Sequence, residues 1–496
     1  MAQHDSFRFA SNVADRSQRG ARQYAPDPPV EAAGRHAFGV SRSQVRSDAD
    51  DGSRKHLDAK PPRVIGATRI RHANALVTLR TLRASGNAPR SAGAAGHRLH
   101  CFHPAGARRP SPTARRTMTA SQPAHPKLPG QVVLVLQGGG ALGAYQLGVF
   151  EAMDASGIQP DWVIGTSIGA INAALIAGNA PAQRAQRIAQ FWRHVTERPA
   201  VNVPGLPTTW NKIGAEFAVI GAGLPGFFRP NPAAWLGPLA HVGVEHASYY
   251  VAEPLRDTLA SLIDVELLNA GRPRVTVGAV NACTGAMRYF DSRERRLGLD
   301  HVMSSGALPP AFPAVRVDGA PYWDGGIYSN TPVEVVLDDA PRRSSIIFSV
   351  QMWNPVGPEP QSIWQVSERQ KDIQYASRTD GNIARQQQIH RLRHVINELV
   401  MRVPEPERAS ADVQALAAWG CQTTMRVIKL AAPRLDGDDQ WKDIDFTPDG
   451  IAARRQAGFD ATMQAIAARP WERPMDPTEG LSVWSPEENR IGERHN

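Results

Sequence analysis

A chain of 496 residues with 42% hydrophobic and 21% charged residues can bury a large core and has ordinary globular composition, which excludes a binding peptide or a disulfide-stapled mini-domain. Three widely spaced cysteines, Cys101, Cys283 and Cys421, offer neither a disulfide framework nor paired metal-ligand spacing, and fit a reducing compartment. The formal charge of +9 resides in the front of the chain, since residues 1–117 hold 21 Lys and Arg against 8 Asp and Glu and the remainder is slightly acidic. No apolar run approaches the roughly 20 residues needed to cross a bilayer: the longest candidate, 163–178, is interrupted by Thr166, Ser167 and Asn172. The first residues lack a charged segment followed by an apolar core, so a secretory signal is not expected there.

Residues 1–125 are rich in Ala, Arg, Ser, Gly and Pro and offer no segment able to offset its ordering entropy, so they are expected to be a disordered leader. Three readings stand open: translated sequence upstream of a start at Met118, a solvated basic tail, or an arm for anionic lipid or nucleic acid. From Gln131 the texture changes to short apolar runs that end in glycines and lead into helical patterns, the signature of strand–turn–helix units in a parallel α/β sheet. Val132-Val133-Leu134-Val135-Leu136 is a strand buried on both faces. The turn at 138–140 leads into a helix bearing Leu142, Tyr145, Val149 and Met153. Asp161-Trp162-Val163-Ile164-Gly165 is the second strand, followed by a helix through Ile168, Ile171 and Leu175.

The connection at 199–250 is dense in Gly and Pro and carries Trp210, Phe217, Phe227, Phe228 and Trp235. These side chains belong either to a satellite core or to an apolar cover over a substrate groove. Further strands are expected at 274–279, 287–291, 315–317 paired with 321–323 across Asp318-Gly319, and 345–351. The α/β core thus spans 126–355. From 356 to 496 a helical extension and coil are expected, with Ile389, Leu392, Ile396, Leu399 and Val403 forming one face of a basic helix. Such a stripe fits a helix packed on the parent domain or one lying on a membrane surface.

The chemistry sits at two glycine-flanked strand ends, where open α/β sheets bind ligands. Gly138-Gly139-Gly140-Ala141-Leu142-Gly143 has dinucleotide-fingerprint spacing, yet no acid closes the second strand to hold a ribose. Gly165-Thr166-Ser167-Ile168-Gly169 is a G-x-S-x-G nucleophile elbow in its required strand–turn–helix context, with Ser167 at the apex. The backbone N–H groups of the 138–140 turn are suited to an oxyanion. For the base, His301, His390 and His394 lie in unpromising contexts, whereas Asp324, in Trp323-Asp324-Gly325-Gly326, ends a strand in a tight turn. With a reference pKa of about 3.9 an aspartate is a weak base and needs a dry pocket.

The ordered set Gly138–Gly143, Gly165–Gly169 and Asp324-Gly325-Gly326, with the small-and-proline segment at 305–313, resembles the patatin-like phospholipases. The resemblance covers about 130–340 and implies a three-layer α/β/α core with a mainly parallel sheet. It implies Ser167 as nucleophile, Asp324 as base and the amides of Gly138, Gly139 and Gly140 as oxyanion hole, with Gly143, Gly165, Gly169, Gly325 and Gly326 as motif glycines. The implied activity is lipid acyl-ester hydrolysis through an acyl-serine, of phospholipase or lysophospholipase type. No cofactor or metal is called for, the partner is a lipid ester, and peripheral contact with a membrane fits while a specific nucleic acid does not. The location so implied is the cytoplasm or the inner membrane surface. Two departures are notable: Leu142 stands where many members have a cation, and Gln137 where plant patatins have Asp. Neutral-lipid esterase, acyltransferase and non-catalytic lipid binding remain as alternatives.

Overall fold

The computed structural model describes residues 128–197, 214, 219–376 and 379–486, all within the second of two units, Pro112–Asn496. The leader at 1–125, Met118, and Trp210 and Phe217 of the aromatic connection lie outside the described residues. The strands are β1 (Gln131–Leu136), β2 (Trp162–Thr166), β3 (Arg229–Pro230), β4 (Tyr250–Val251), β5 (Arg274–Asn281), β6 (Met287–Asp291), β7 (Val315–Val317), β8 (Ala320–Asp324), β9 (Ser345–Gln351), β10 (Met425–Ala431) and β11 (Leu481–Trp484). The main helices are α1 (Ala144–Ala155), α2 (Ile168–Ala177), α3 (Arg184–Thr196), α4 (Glu253–Leu262), α5 (Leu299–Ser305), α6 (Ile363–Ala376), α7 (Thr379–Arg402), α8 (Ala411–Ala417) and α9 (Pro448–Ala468).

Nine strands form one sheet in the order β11-β10-β9-β1-β2-β5-β8-β7, with β6 also on β5. From β11 to β5 every pairing is parallel, and β6, β8 and β7 add antiparallel pairings at that end. Successive residues of β1 enter opposite cores, as the strand period of two requires. Leu134 and Leu136 pack in the core that holds Tyr145 and Phe150 of α1 and Ile171 of α2, whereas Val133 and Val135 pack in the one that holds Val336, Leu337 and Ile383 of α7. The result is a three-layer α/β/α fold with a mainly parallel sheet. The β7–β8 hairpin turns at Asp318 and Gly319, both at positive φ (50° and 80°), as a two-residue hairpin loop demands. No helix among the described residues is long and apolar enough to cross a membrane.

The sheet does not stop at residue 355. β10 aligns parallel to β9, β11 aligns parallel to β10, and the residues after 356 therefore supply core strands as well as helices. Their short, partly polar runs lack the uninterrupted apolar stretch that marks β1 and β9 in sequence. Helix α9 meets α1 backbone to backbone: a Cβ at Gly148 would lie 1.8 Å from the Arg455 carbonyl oxygen, and one at Gly458 2.0 Å from that of Tyr145. Gly148→Ala should therefore force the helices apart and destabilise the fold by roughly 1–3 kcal/mol, read as a lower midpoint in chemical denaturation, with Gly458→Ala behaving alike.

Helix α7 presents a different face from the one its leucines suggest. Ile383, Gln386, His390 and His394 are buried, while Leu392 and Leu399 are 64% and 58% exposed. Polar partners choose the orientation. The His394 ring nitrogens meet the carbonyls of Pro477 and Thr423 at 2.7 and 3.0 Å, and the Gln386 amide donates to Asp338 at 2.9 Å. Of the aromatic connection, Phe227 and Phe228 turn inward to line a cleft, whereas Trp235 is 90% exposed.

Candidate active site

Ser167 sits between β2 and α2 with φ 58° and ψ −127°, a backbone state costly for a residue with a Cβ and characteristic of a strained elbow. The flanking glycines make the bend possible: a Cβ at Gly165 would lie 2.2 Å from the Gly169 carbonyl oxygen, and one at Gly169 2.2 Å from that of Leu136. Gly143 is likewise closed in by Ile168, 2.6 Å from where its Cβ would stand. The Ser167 N–H donates to Ser305 Oγ (3.1 Å), whose own hydroxyl donates to the Gly278 carbonyl (2.6 Å). Ser305, the last residue of α5, thus braces the elbow.

Asp324 ends β8, which pairs with β5 through Ala279, and β5 pairs with β2. β5 thus lies between the strand that leads into Ser167 and the strand that ends in Asp324, and both residues line one cleft. The Asp324 carboxylate accepts a hydrogen bond of 2.7 Å from the Gly326 N–H, with the Ser167 side chain close enough to favour its ionised form. Gly325 is needed because a Cβ there would lie 2.4 Å from the Gly278 carbonyl oxygen, and Gly326 leaves the carboxylate room. Asp324 is 1% exposed. Burial pushes its carboxyl up to about 7, against the opposing pull of the Ser167 and Gly326 hydrogen bonds.

The glycine turn is held from distant parts of the chain. The Gly138 N–H donates to the Asn330 carbonyl (3.1 Å), while the Gly138 carbonyl accepts from Asn330 Nδ2 (3.1 Å) and Trp353 Nε1 (2.8 Å). The Gly138 amide is thus already engaged, whereas no acceptor among the described residues takes the N–H of Gly139 or Gly140. Gly138 matters for closeness, since a Cβ there would stand 2.9 Å from Ser167 Cβ. Gly140 has φ +56°, and a Cβ on it would lie 2.3 Å from the Asp443 carbonyl oxygen, which also accepts the Ala141 N–H at 2.8 Å.

Gln137 is fully buried and its amide is spent on scaffolding. Its Oε1 accepts from the N–H groups of Met352 and Trp353, and its Nε2 donates to Thr331 Oγ1 at 2.7 Å. Leu142, at the position where many members have a cation, is buried and lines a separate cavity beside Arg369, Lys442 and Arg454. Position 142 is not among the residues lining the cleft around Ser167.

That cleft has a volume of about 1000 Å³ and brings together Gly138, Gly139, Gly140, Ser167 and Asp324 with a largely apolar wall. Phe227, Phe228, Tyr250, Phe312 and Phe446 form the aromatic part of that wall, with ring centroids 4.8 Å apart for Phe228–Tyr250, 5.4 Å for Phe228–Phe312 and 5.9 Å for Phe227–Phe446. Trp353, Tyr375, Asp443, Ile444 and Phe446 come from beyond the last expected motif. Sequence reasoning missed them, together with Asn330, because their part depends on long-range contact; Ser305 opens the quoted segment at 305–313, but its bracing of the elbow was not read from it. The three histidines lie elsewhere. His301 Nδ1 accepts the Gly298 N–H (3.0 Å) against the Phe290 ring, and His390 and His394 are buried in α7.

Residues 134–337 match the family model described as patatin-like phospholipase, and residues 373–478 match a second one described as patatin phospholipase. Human patatin-like phospholipase domain-containing protein 6 is 43% identical over 61 residues, 12% of this chain and 4% of that protein. Lysophospholipase nte1 of Aspergillus terreus is 55% identical over 49 residues, 10% of this chain and 3% of that protein. The chain thus matches only about 4% of the length of these curated relatives. Among solved structures, VipD from Legionella pneumophila aligns with 15% identity and a TM-score of 0.28 over 68% of this chain and 67% of that one. The type III effector ExoU aligns with 14% identity and a TM-score of 0.24 over 70% and 55%.

Proposed function

The chain belongs to the patatin-like phospholipases through residues 134–337 and 373–478, and from that premise we propose that it is a serine lipid acyl hydrolase of phospholipase or lysophospholipase type. The observation that carries this reading is that Ser167, on its strained elbow, and the buried Asp324 line one largely apolar cleft with the glycine turn. Ser167 Oγ attacks the ester carbonyl carbon while its proton passes to the Asp324 carboxylate. The N–H groups of Gly139 and Gly140 take up the charge on the carbonyl oxygen. Collapse expels the alcohol, which receives the proton from Asp324, and a water activated by the same carboxylate then releases the fatty acid from the acyl-serine.

The aromatic wall suits an acyl chain, because burying each methylene is worth about 0.8 kcal/mol. The surface at which such a protein meets its substrate is a lipid aggregate, and peripheral contact with a membrane belongs to the proposal. The test is labelling of the purified protein with an alkyl fluorophosphonate, followed by hydrolysis of a panel of phospholipids, lysophospholipids and neutral glycerides. A single adduct on Ser167 with release of fatty acid from the panel is expected; an unlabelled wild-type protein, or one whose label persists in Ser167→Ala, sinks the reading. Adding an alcohol acceptor separates hydrolysis from acyl transfer.

A further inference from the structure

One polar side chain in the cleft has no part in the dyad or the glycine turn. Tyr375, near the end of α6, is fixed on two sides: its ring packs on that of Trp353 (centroids 4.9 Å apart), and its carbonyl accepts from Asn330 Nδ2 and Gln137 Nε2, both at 3.4 Å. No hydrogen-bond partner among the described residues takes its hydroxyl. Burial, with the Asp324 and Asp443 carboxylates nearby, raises the phenol above its ordinary value, so the hydrogen stays on the oxygen as a donor. Tyr375 also borders a second cavity of about 440 Å³, which shares Gly326 and Asn330 with the cleft and is lined further by Ser329, Thr331 and Gln374. Tyr375 therefore borders both the aromatic-walled cleft that holds Ser167 and a recess lined by hydroxyl and amide side chains.

We propose that Tyr375 is a catalytic residue whose O–H hydrogen-bonds the alcohol oxygen of the scissile ester, the alcohol part of the substrate extending into the polar cavity. This rests on the hydrolase reading above. As the bond between acyl carbon and alcohol oxygen breaks, the electron pair goes to that oxygen and the proton comes from Asp324. Tyr375 keeps its own hydrogen and stabilises the developing charge. Such help matters for a glyceryl alkoxide and little for a nitrophenolate, which leaves unaided.

Tyr375→Phe, which retains the ring and its packing on Trp353, is compared with the wild type on monodecanoylglycerol and on 4-nitrophenyl decanoate, reading kcat/KM. The loss on the glyceryl ester should exceed that on the nitrophenyl ester by about 10²-fold, the usual scale for removing one transition-state donor. A difference of less than about tenfold, whether from equal losses or from none, overturns the proposal, because lost packing affects both esters alike. Ser167→Ala run alongside distinguishes the two failures: turnover of both esters that survives it overturns the hydrolase reading itself.

Discussion

Ser167→Ala should lower ester hydrolysis by about 10⁴-fold or more, the scale seen when a catalytic nucleophile is removed, while leaving the protein folded. The substitution deletes one oxygen in the cleft it shares with Asp324 and preserves the Cβ that the Gly138 turn approaches. The left-handed backbone at Ser167 is held by its neighbours, and alanine accepts it at a cost similar to that of serine. Activity measured as fatty-acid release, with the circular dichroism spectrum as control, checks both halves. A residual rate within tenfold of the wild type would mean that another nucleophile carries the chemistry.

Asp324→Asn should abolish turnover to a comparable degree and, unlike most active-site changes, stabilise the protein. A neutral amide cannot accept the Ser167 proton, yet its oxygen still accepts the Gly326 N–H and its NH₂ can donate to Ser167 Oγ. The stability gain follows from the raised carboxyl. Burial lifts it from 3.8 to about 7, so the folded state holds its proton where the unfolded chain has released it. The stability this group contributes is complete below pH 3.8 and is lost as pH rises through about 7. At pH 8 the ionised buried carboxylate costs up to roughly 4 kcal/mol, at about 1.36 kcal/mol per pH unit. The Asn variant is therefore expected to melt above the wild type at pH 8, with the gap closing toward pH 4; a gap independent of pH would refute the assignment. The wild-type kcat/KM should correspondingly rise with pH through about 7, since only the carboxylate acts as base.

This coupling gives the site a physical logic. In the proposed mechanism an exposed aspartate would be ionised but too weak a base, whereas removal from water would make Asp324 basic enough to take a serine proton near neutrality. The cost is borne by the fold, and the packed sheet supplies it: β5 lies between the strand that leads into Ser167 and the strand that ends in Asp324.

Features with local causes were legible in the sequence. A strand buried on both faces needs an unbroken apolar run, as in β1. A serine at φ 58° needs glycines on either side, because a Cβ at either would lie about 2.2 Å from a backbone oxygen, and a hairpin at Asp318-Gly319 needs residues that tolerate positive φ. Because each requirement is met by adjacent residues, the elbow, the Asp-Gly-Gly turn and the α/β alternation could be read without coordinates. What holds the glycine turn could not: Asn330 reaches Gly138 across 192 positions. Nor could the continuation of the sheet into β10 and β11, the burial of the histidine face of α7 in place of its leucines, or the arrival of Tyr375 and Asp443 at the cleft. Local pattern records what a segment can do with its own neighbours; which distant segment covers it is decided only when the whole core packs.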